Sequence, residues 1–229
     1  MQKFSMHIHT IRRSPCGKVE PERIVKLYKE KGYGGIIVTD HYMEYVFNIN
    51  NIIEDKERVD FFLSGYHETK YFGDKAGLKV FLGMELNLSK YNRPNSTYPV
   101  YEFLIYGLFE KFIYNNPRLY ELEVGELFKL VNDNNMLMIQ SHPFRPRTEC
   151  ANFKFMHGVE VVNKNGRHDS FDNLALKFAN EHNLLKTASD DFHEEEDLAH
   201  AGMYFPDDTD TIEKVVKYIK NGQAKNFSD

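Results

Sequence analysis

Tryptophan is absent from this 229-residue chain, and cysteine occurs only twice, at Cys16 and Cys150. Two cysteines make no disulfide framework at this length, so a packed core must hold the fold, and a reducing compartment would keep both as thiols. No apolar run approaches the roughly 20 residues needed to span a bilayer. The N-terminal MQKFSMHIH also lacks the basic-then-apolar order of a secretory leader. The expectation is a cytoplasmic protein with no membrane partner. Positive charge is in deficit as well: 29 Lys and Arg against 34 Asp and Glu leave a net charge of −5, so the chain offers no global attraction to nucleic acid. Internal repeats, low-complexity tracts and linkers are missing, and the expectation is one domain over residues 1–229.

What is present is an alternation of short apolar runs with amphipathic stretches, the pattern of strands lying parallel beneath covering helices. Strands are expected at 4–9, 35–40, 78–86, 100–108, 136–142, 158–163, 184–190 and 201–206. The first helix opens at Pro21, suited to a first turn, and stops at Gly32, where glycine supplies a left-handed cap. Further helices are expected across 53–75, 121–134, 170–182 and 210–221, each with an apolar stripe, and the turn-rich segment 87–99 is expected to be an exposed loop.

The polar residues of interest collect at the C-terminal ends of these strands, where barrels and open α/β folds place their sites. His7 and His9 end the first strand, Asp40 and His41 the second and Glu85 the third; His142 ends a later one, and Asp191 and His193 follow the 184–190 strand. The spacing His7-Ile8-His9 sends both imidazoles to one face of a strand and Ile8 to the other. Asp191-Phe192-His193 repeats it with a carboxylate. Each motif alone is weak, since a His-x-His or a Thr-Asp-His is more often a strand end or a capped turn. Together they point to metal, because imidazoles and carboxylates buried at one mouth without a cation would leave costly unpaired groups. Such ligands suit zinc, manganese or iron, and Glu85 can bridge two ions.

In order along the chain, HIHT (7–10), TDH (39–41), GMEL (83–86), SHP (141–143) and DFH (191–193) resemble the motif series of the polymerase and histidinol phosphatase, or PHP, family. The resemblance covers nearly the whole chain. It implies an α/β fold, a distorted TIM-like (β/α)7 barrel, with two or three divalent metal ions used for phosphoester hydrolysis. Carried over, it makes His7, His9, Glu85 and Asp191 ligands of one ion and gives His41, His142 and His193 to neighbouring ions. Asp40 is expected to support the site by orienting His41. Two positions depart from the family pattern. Where a His or Asp ligand is common, the chain reads Ser14-Pro15-Cys16-Gly17, so either Cys16 ligates or that ion is weakly held. Where a histidine is common, Glu102 stands; it either replaces that ligand and favours a harder ion or faces solvent.

The resemblance implies a metal-activated water attacking a small-molecule phosphate ester. His193 is one candidate to protonate the leaving group, and Arg145 is a candidate phosphate clamp because its planar fork matches phosphate oxygens. Arg12, Arg13 and Lys164 are secondary candidates; Tyr42 and the loop 87–99 are placed to border the pocket, and among the remaining histidines, read as structural or exposed, His168 stands out beside Asp169 and near Lys164. Three alternatives stay open: a nuclease acting at nucleic-acid ends, which the acidic balance disfavours; a PHP-like binding module of reduced activity; and an amidohydrolase-type enzyme. The oligomeric state is not legible.

Overall fold

The computed structural model describes residues 1–88 and 100–229. Residues 89–99, most of the stretch expected to be an exposed loop, lie outside the described residues, while Asn87 and Leu88 at its start are buried. In chain order the strands are β1 (Gln2–Ile8), β2 (Tyr33–Val38), β3 (His41–Tyr42), β4 (Lys79–Asn87), β5 (Glu102–Tyr106), β6 (Leu137–Gln140), β7 (Gly158–Asn163), β8 (Leu185–Ser189), β9 (Ala201–Phe205) and β10 (Lys225–Ser228). Among the described residues the helices are α1 (Pro21–Glu30), α2 (Glu44–Ile49), α3 (Asp55–Ala76), α4 (Glu110–Asn115), α5 (Val124–Asp133), α6 (Asp172–Glu181) and α7 (Ile212–Lys220). All eight expected strands and five expected helices are found. The two-residue β3, the largely polar β10 and the six-residue helices α2 and α4 carry too little pattern to be read from sequence.

One continuous sheet runs β10-β9-β1-β2-β4-β5-β6-β7-β8, with β3 paired to β4. The run from β1 to β8 closes into a barrel beyond its last strand. There Ile8 bridges Phe192 in parallel, with Phe192 N–H donating to the His7 carbonyl at 3.0 Å and His9 N–H to the Phe192 carbonyl at 2.9 Å. The other half of the β1 edge, Gln2 to Phe4, is taken by antiparallel β9. β1 is thus shared between two neighbours, and the barrel is nearly closed.

One expectation needs correction. The 100–108 strand is not parallel to its neighbours: β5 runs antiparallel to both β4 and β6. A reversed strand brings its first residue, not its last, to the rim where the others end. Glu102 therefore reaches the mouth from the start of β5. β9 and β10 are antiparallel additions outside the closed run.

The barrel interior has an apolar floor and a polar mouth. Phe4, Met6, Ile37, Leu104, Tyr106, Leu137 and Ile139 meet inside, and Val215, Val216 and Ile219 of α7 pack against them with Met203 and Phe205. Each such side chain contributes roughly 1.5–3 kcal/mol on burial. Alternation along β5 puts Glu102 on the face of Leu104 and Tyr106, which settles its direction as inward.

Two β-bulges re-aim side chains above this floor. Along β1 the pairing with β2 goes from Ser5 opposite Ile36 to Ile8 opposite Val38, three steps against two. Phe4 and Met6 face inward below the bulge, whereas above it Ile8 packs outward on Ile24 and Tyr28 of α1 and leaves His7 and His9 facing in. On β7, Glu160 pairs with Thr187 and Val162 with Ala188, two steps against one. Glu160 and Asn163 consequently share the interior, where the Asn163 amide donates to Glu160 Oε2 at 2.7 Å. In each case the extra residue flips the alternation and turns polar groups to the mouth.

Candidate metal centre

The strand ends bring His7, His9, His41, Glu85, Glu102, His142, Asp191 and His193 together at one end of the barrel. The Nε2 atoms of His7 and His9 lie 3.0 Å apart, and each is 3.3 Å from Glu85 Oε2. Asp191 Oδ1 is 3.3 Å from His7 Nε2 and 3.5 Å from His9 Nε2. Around this centre, His41 Nδ1 is 3.0 Å from Glu85 Oε2. On the other side, His142 Nε2 lies 3.3 Å from Glu85 Oε1 and 3.8 Å from Glu102 Oε2. Three overlapping groups have donor atoms within 4.8 Å of one another: His7, His9 and Glu85; Glu85, Glu102 and His142; and His9, Cys16, His41 and His193. Glu85 belongs to two of them.

These donors fit a cation rather than one another. Glu85 Oε1, Asp191 Oδ1 and His41 Nδ1 are buried without a hydrogen-bond partner among the described residues, although charged or polar atoms stand close by. Lone pairs gathered at such distances are costly unless a proton or a metal ion sits among them. Burial alone would lower His7, yet the Asp191 and Glu85 carboxylates raise it well above the ordinary imidazole value. For Glu85, burial works upward, but His7 and His41 hold it well below the usual carboxylate range. Burial presses His41 down to about 3 and, together with His9, holds His193 well below the ordinary value. Both rings are therefore neutral, the form in which imidazole ligates. Burial and the neighbouring Glu85 raise Glu102.

A shell of hydrogen bonds sets which ring nitrogen faces the centre. Ser14 Oγ donates to Asp40 Oδ1 at 2.9 Å, so the His9 Nδ1–H donates to Ser14 at 2.9 Å and the Nε2 lone pair is left for the site. His7 Nδ1 lies 3.4 Å from Glu160 Oε1, which frees its Nε2 likewise. His193 Nδ1 is held at 2.7 Å by the Asp191 carbonyl. Such partners fix tautomer and ring direction for metal binding. His142 and Asp191 adopt φ of 28° and 51°, left-handed backbone that costs on the order of 1–3 kcal/mol and clusters at functional sites.

Several expected roles look different here. Asp40 does not reach the His41 side chain. It accepts from Thr10 N–H and Oγ at 2.6 Å each and from Ser14, so it fixes the loop that positions His9. Arg145 is mostly buried, and one terminal nitrogen meets Asp191 Oδ2 at 2.7 Å, Asn163 Oδ1 at 2.9 Å and Ser170 Oγ at 3.3 Å. Its Nε has no hydrogen-bond partner among the described residues. Arg12 pairs with Glu20, Arg13 with Glu68 and Lys164 with Asp172. Tyr42 does not border the pocket; it is buried and its hydroxyl donates to the Pro117 carbonyl at 2.7 Å.

Sequence reasoning missed Glu160, which accepts from the His142 and Asn163 N–H groups and the Ser189 hydroxyl besides facing His7. Its signal was a lone acid inside the apolar run GVEVVN. Asn165 and Arg167 were also missed. A cavity of about 200 Å³ opens over the donors, and His168 and Arg167 stand at its edge. It adjoins a second, polar cavity of about 350 Å³ that runs along Lys164, Asp169 and Asn173 and shares Asn165 and His168 with the first.

With this geometry in place, the likeness to known proteins is informative. A sequence model of the PHP domain matches residues 5–224. The chain belongs to the PHP-domain family. No curated protein sequence gives a match. Among solved structures, a two-domain protein from Bacteroides vulgatus containing a predicted PHP-like metal-dependent phosphoesterase superposes with a TM-score of 0.67 at 17% identity, over 99% of this chain and 64% of that one. This PHP domain thus spans less than two thirds of that relative. PsfC from Pseudomonas syringae matches with a TM-score of 0.70 at 15% identity, over 100% of this chain and 91% of its own. The lesion-specific endonuclease PfuEndoQ from Pyrococcus furiosus matches with a TM-score of 0.61 at 16% identity, over 98% of this chain and 57% of its own. At such identities the likeness speaks for the PHP fold, a distorted TIM barrel, and activity must be argued from the site.

Proposed function

We propose that this PHP domain is a metal-dependent phosphoesterase acting on a small phosphorylated metabolite or nucleotide. The observation that carries the proposal is the set of three overlapping donor groups at one barrel mouth, joined through Glu85 and His9. His7, His9, Glu85 and Asp191 would hold a central ion. Glu102 and His142 would hold a second ion with Glu85, and His41 and His193 a third, the ions being zinc, manganese or iron. When bound, divalent ions supply a water acidified toward neutrality and polarise the phosphoryl group.

The chain's own residues do the rest. Glu160 and the Ser14–Asp40 pair orient His7 and His9. Arg145 holds Asp191 in place and brings a guanidinium to the cavity wall, where its planar fork matches phosphate oxygens. His193, buried and neutral, suits ligation better than proton donation, so the leaving group takes its proton from solvent entering the mouth.

A small substrate is favoured by the recessed 200 Å³ cavity and its polar annex. Arg145, Arg167 and Lys164, which line the two cavities, each face a carboxylate and make a poor track for a nucleic-acid backbone. The endonuclease activity of one structural neighbour keeps the nuclease as the competing role. Metal analysis of the purified protein, followed by assays on an aryl phosphate, a panel of phosphorylated metabolites and DNA, tests the proposal. Metal-dependent phosphate release from small esters is expected. Protein that stays metal-free after reconstitution would instead point to a binding module, and cleavage of DNA alone to the nuclease.

A further inference from the structure

The donor groups are not chemically alike. At one pole, Glu85, Glu102 and His142 present two carboxylates and one imidazole, a set suited to manganese or iron. At the other, Cys16, His41 and His193 present one thiol and two imidazoles, with His9 in reach. His9 lies with the central donors, its Nε2 3.0 Å from His7 Nε2 and 3.3 Å from Glu85. That leaves Cys16, His41 and His193 as three ligands with an open position, the pattern of a catalytic zinc site.

Cys16 is held there by backbone. Gly17 N–H donates to the Ser14 carbonyl at 3.0 Å, and Lys18 N–H donates to the carbonyl of His193 at 2.8 Å. The loop is thus tied directly to another member of the same donor group. A Cβ at Gly17 would fall 2.5 Å from the Thr10 carbonyl oxygen, so only glycine lets the loop close this tightly. His41 Nδ1 adds a buried, unpartnered donor atom beside it.

We infer that the centre is divided by chemistry: Cys16, His41 and His193 form a sulfur-and-nitrogen pole selective for zinc, and Glu85, Glu102 and His142 form an oxygen-rich pole selective for manganese or iron. The inference rests on the metal-dependent role proposed above and assigns its ions. Bound thiolate also marks this pole with a spectroscopic signature that nitrogen and oxygen ligands do not give.

The test uses the full chain, stripped of metal and reloaded. With cobalt, a thiolate-to-cobalt charge-transfer band is expected in the near ultraviolet, and Cys16→Ser should abolish it. Reloaded with manganese in large excess over zinc, so that raw affinity does not decide the outcome, Cys16→Ser should lose one zinc per chain and keep its manganese, while Glu102→Gln should lose manganese and keep its zinc. Cys16→Asp, which restores an anionic ligand, should regain a third ion as manganese; circular dichroism checks that each variant folds. A protein that loads cobalt and hydrolyses an aryl phosphate but shows no charge-transfer band overturns the division and leaves the phosphoesterase proposal standing. Equal loss of both metals in Cys16→Ser and Glu102→Gln overturns it too, and failure to load any metal overturns both proposals.

Discussion

At the scale of single residues, the account depends on donor atoms turned inward by partners behind them. His9→Ala removes an Nε2 that faces His7, Glu85 and Asp191, and should cost one ion per chain and more than about 100-fold in hydrolysis, with circular dichroism unchanged. Full activity in that variant would show the ligand assignment to be wrong. Glu160→Gln tests the layer behind. It weakens the acceptor facing His7 Nδ1 and should lower metal affinity about 10–100-fold, as loss of such a partner commonly does; chelator competition would show it, and unchanged affinity would reduce Glu160 to a packing residue. Protons compete for the same atoms. Because Asp191 and Glu85 raise His7 and His9 against the effect of burial, both rings keep a proton to higher pH than free imidazole. Metal affinity should therefore rise with pH through and above the ordinary imidazole range, and a pH-independent dissociation constant would contradict this assignment.

At the scale of elements, the candidate donor residues were more legible in the sequence than the geometry that aims them. Period-two spacing correctly placed His7 with His9, and strand ends located Glu85, His142, Asp191 and His193, because ligand types at strand termini are visible in one dimension. The two bulges were not legible: an extra residue in β1 or β7 leaves no compositional mark, yet it decides that His7 and Asn163 face inward. Nor was the reversal of β5, since alternation is identical in either direction. Glu102 was left open because alternation fixes which residues share its face but not which face is inward. Helix α3 adds a constraint of its own. A Cβ at Gly65 would lie 2.3 Å from Asp40 Oδ2 and 2.7 Å from Thr10 Oγ1, so this glycine lets the helix pass against the carboxylate that fixes the His9 loop. Gly65→Ala should destabilise the fold by about 1–3 kcal/mol, as overpacking does, read as a lower urea midpoint at constant slope. A tolerated alanine would mean the helix can shift without disturbing Asp40.

At the scale of the whole molecule, the barrel divides its labour between an apolar floor sealed by α7 and a mouth crowded with ionisable groups. The floor supplies stability, and the mouth draws on it. Buried carboxylates and imidazoles without a cation among them oppose folding, so ions should stabilise the chain as a unit. At a hundredfold excess over the dissociation constant a bound ion adds about 2.7 kcal/mol, roughly 5–10 °C in Tm for a chain of this size. The most direct measurement follows phosphate release from an aryl phosphate while metal-stripped protein is titrated with zinc and manganese, bound ions per chain being counted at each step. Hydrolysis should be absent in the stripped protein, climb as the sites fill, and level off at two or three ions per chain. Complete filling without hydrolysis of this ester or any phosphorylated metabolite would contradict a phosphoesterase built on this mouth.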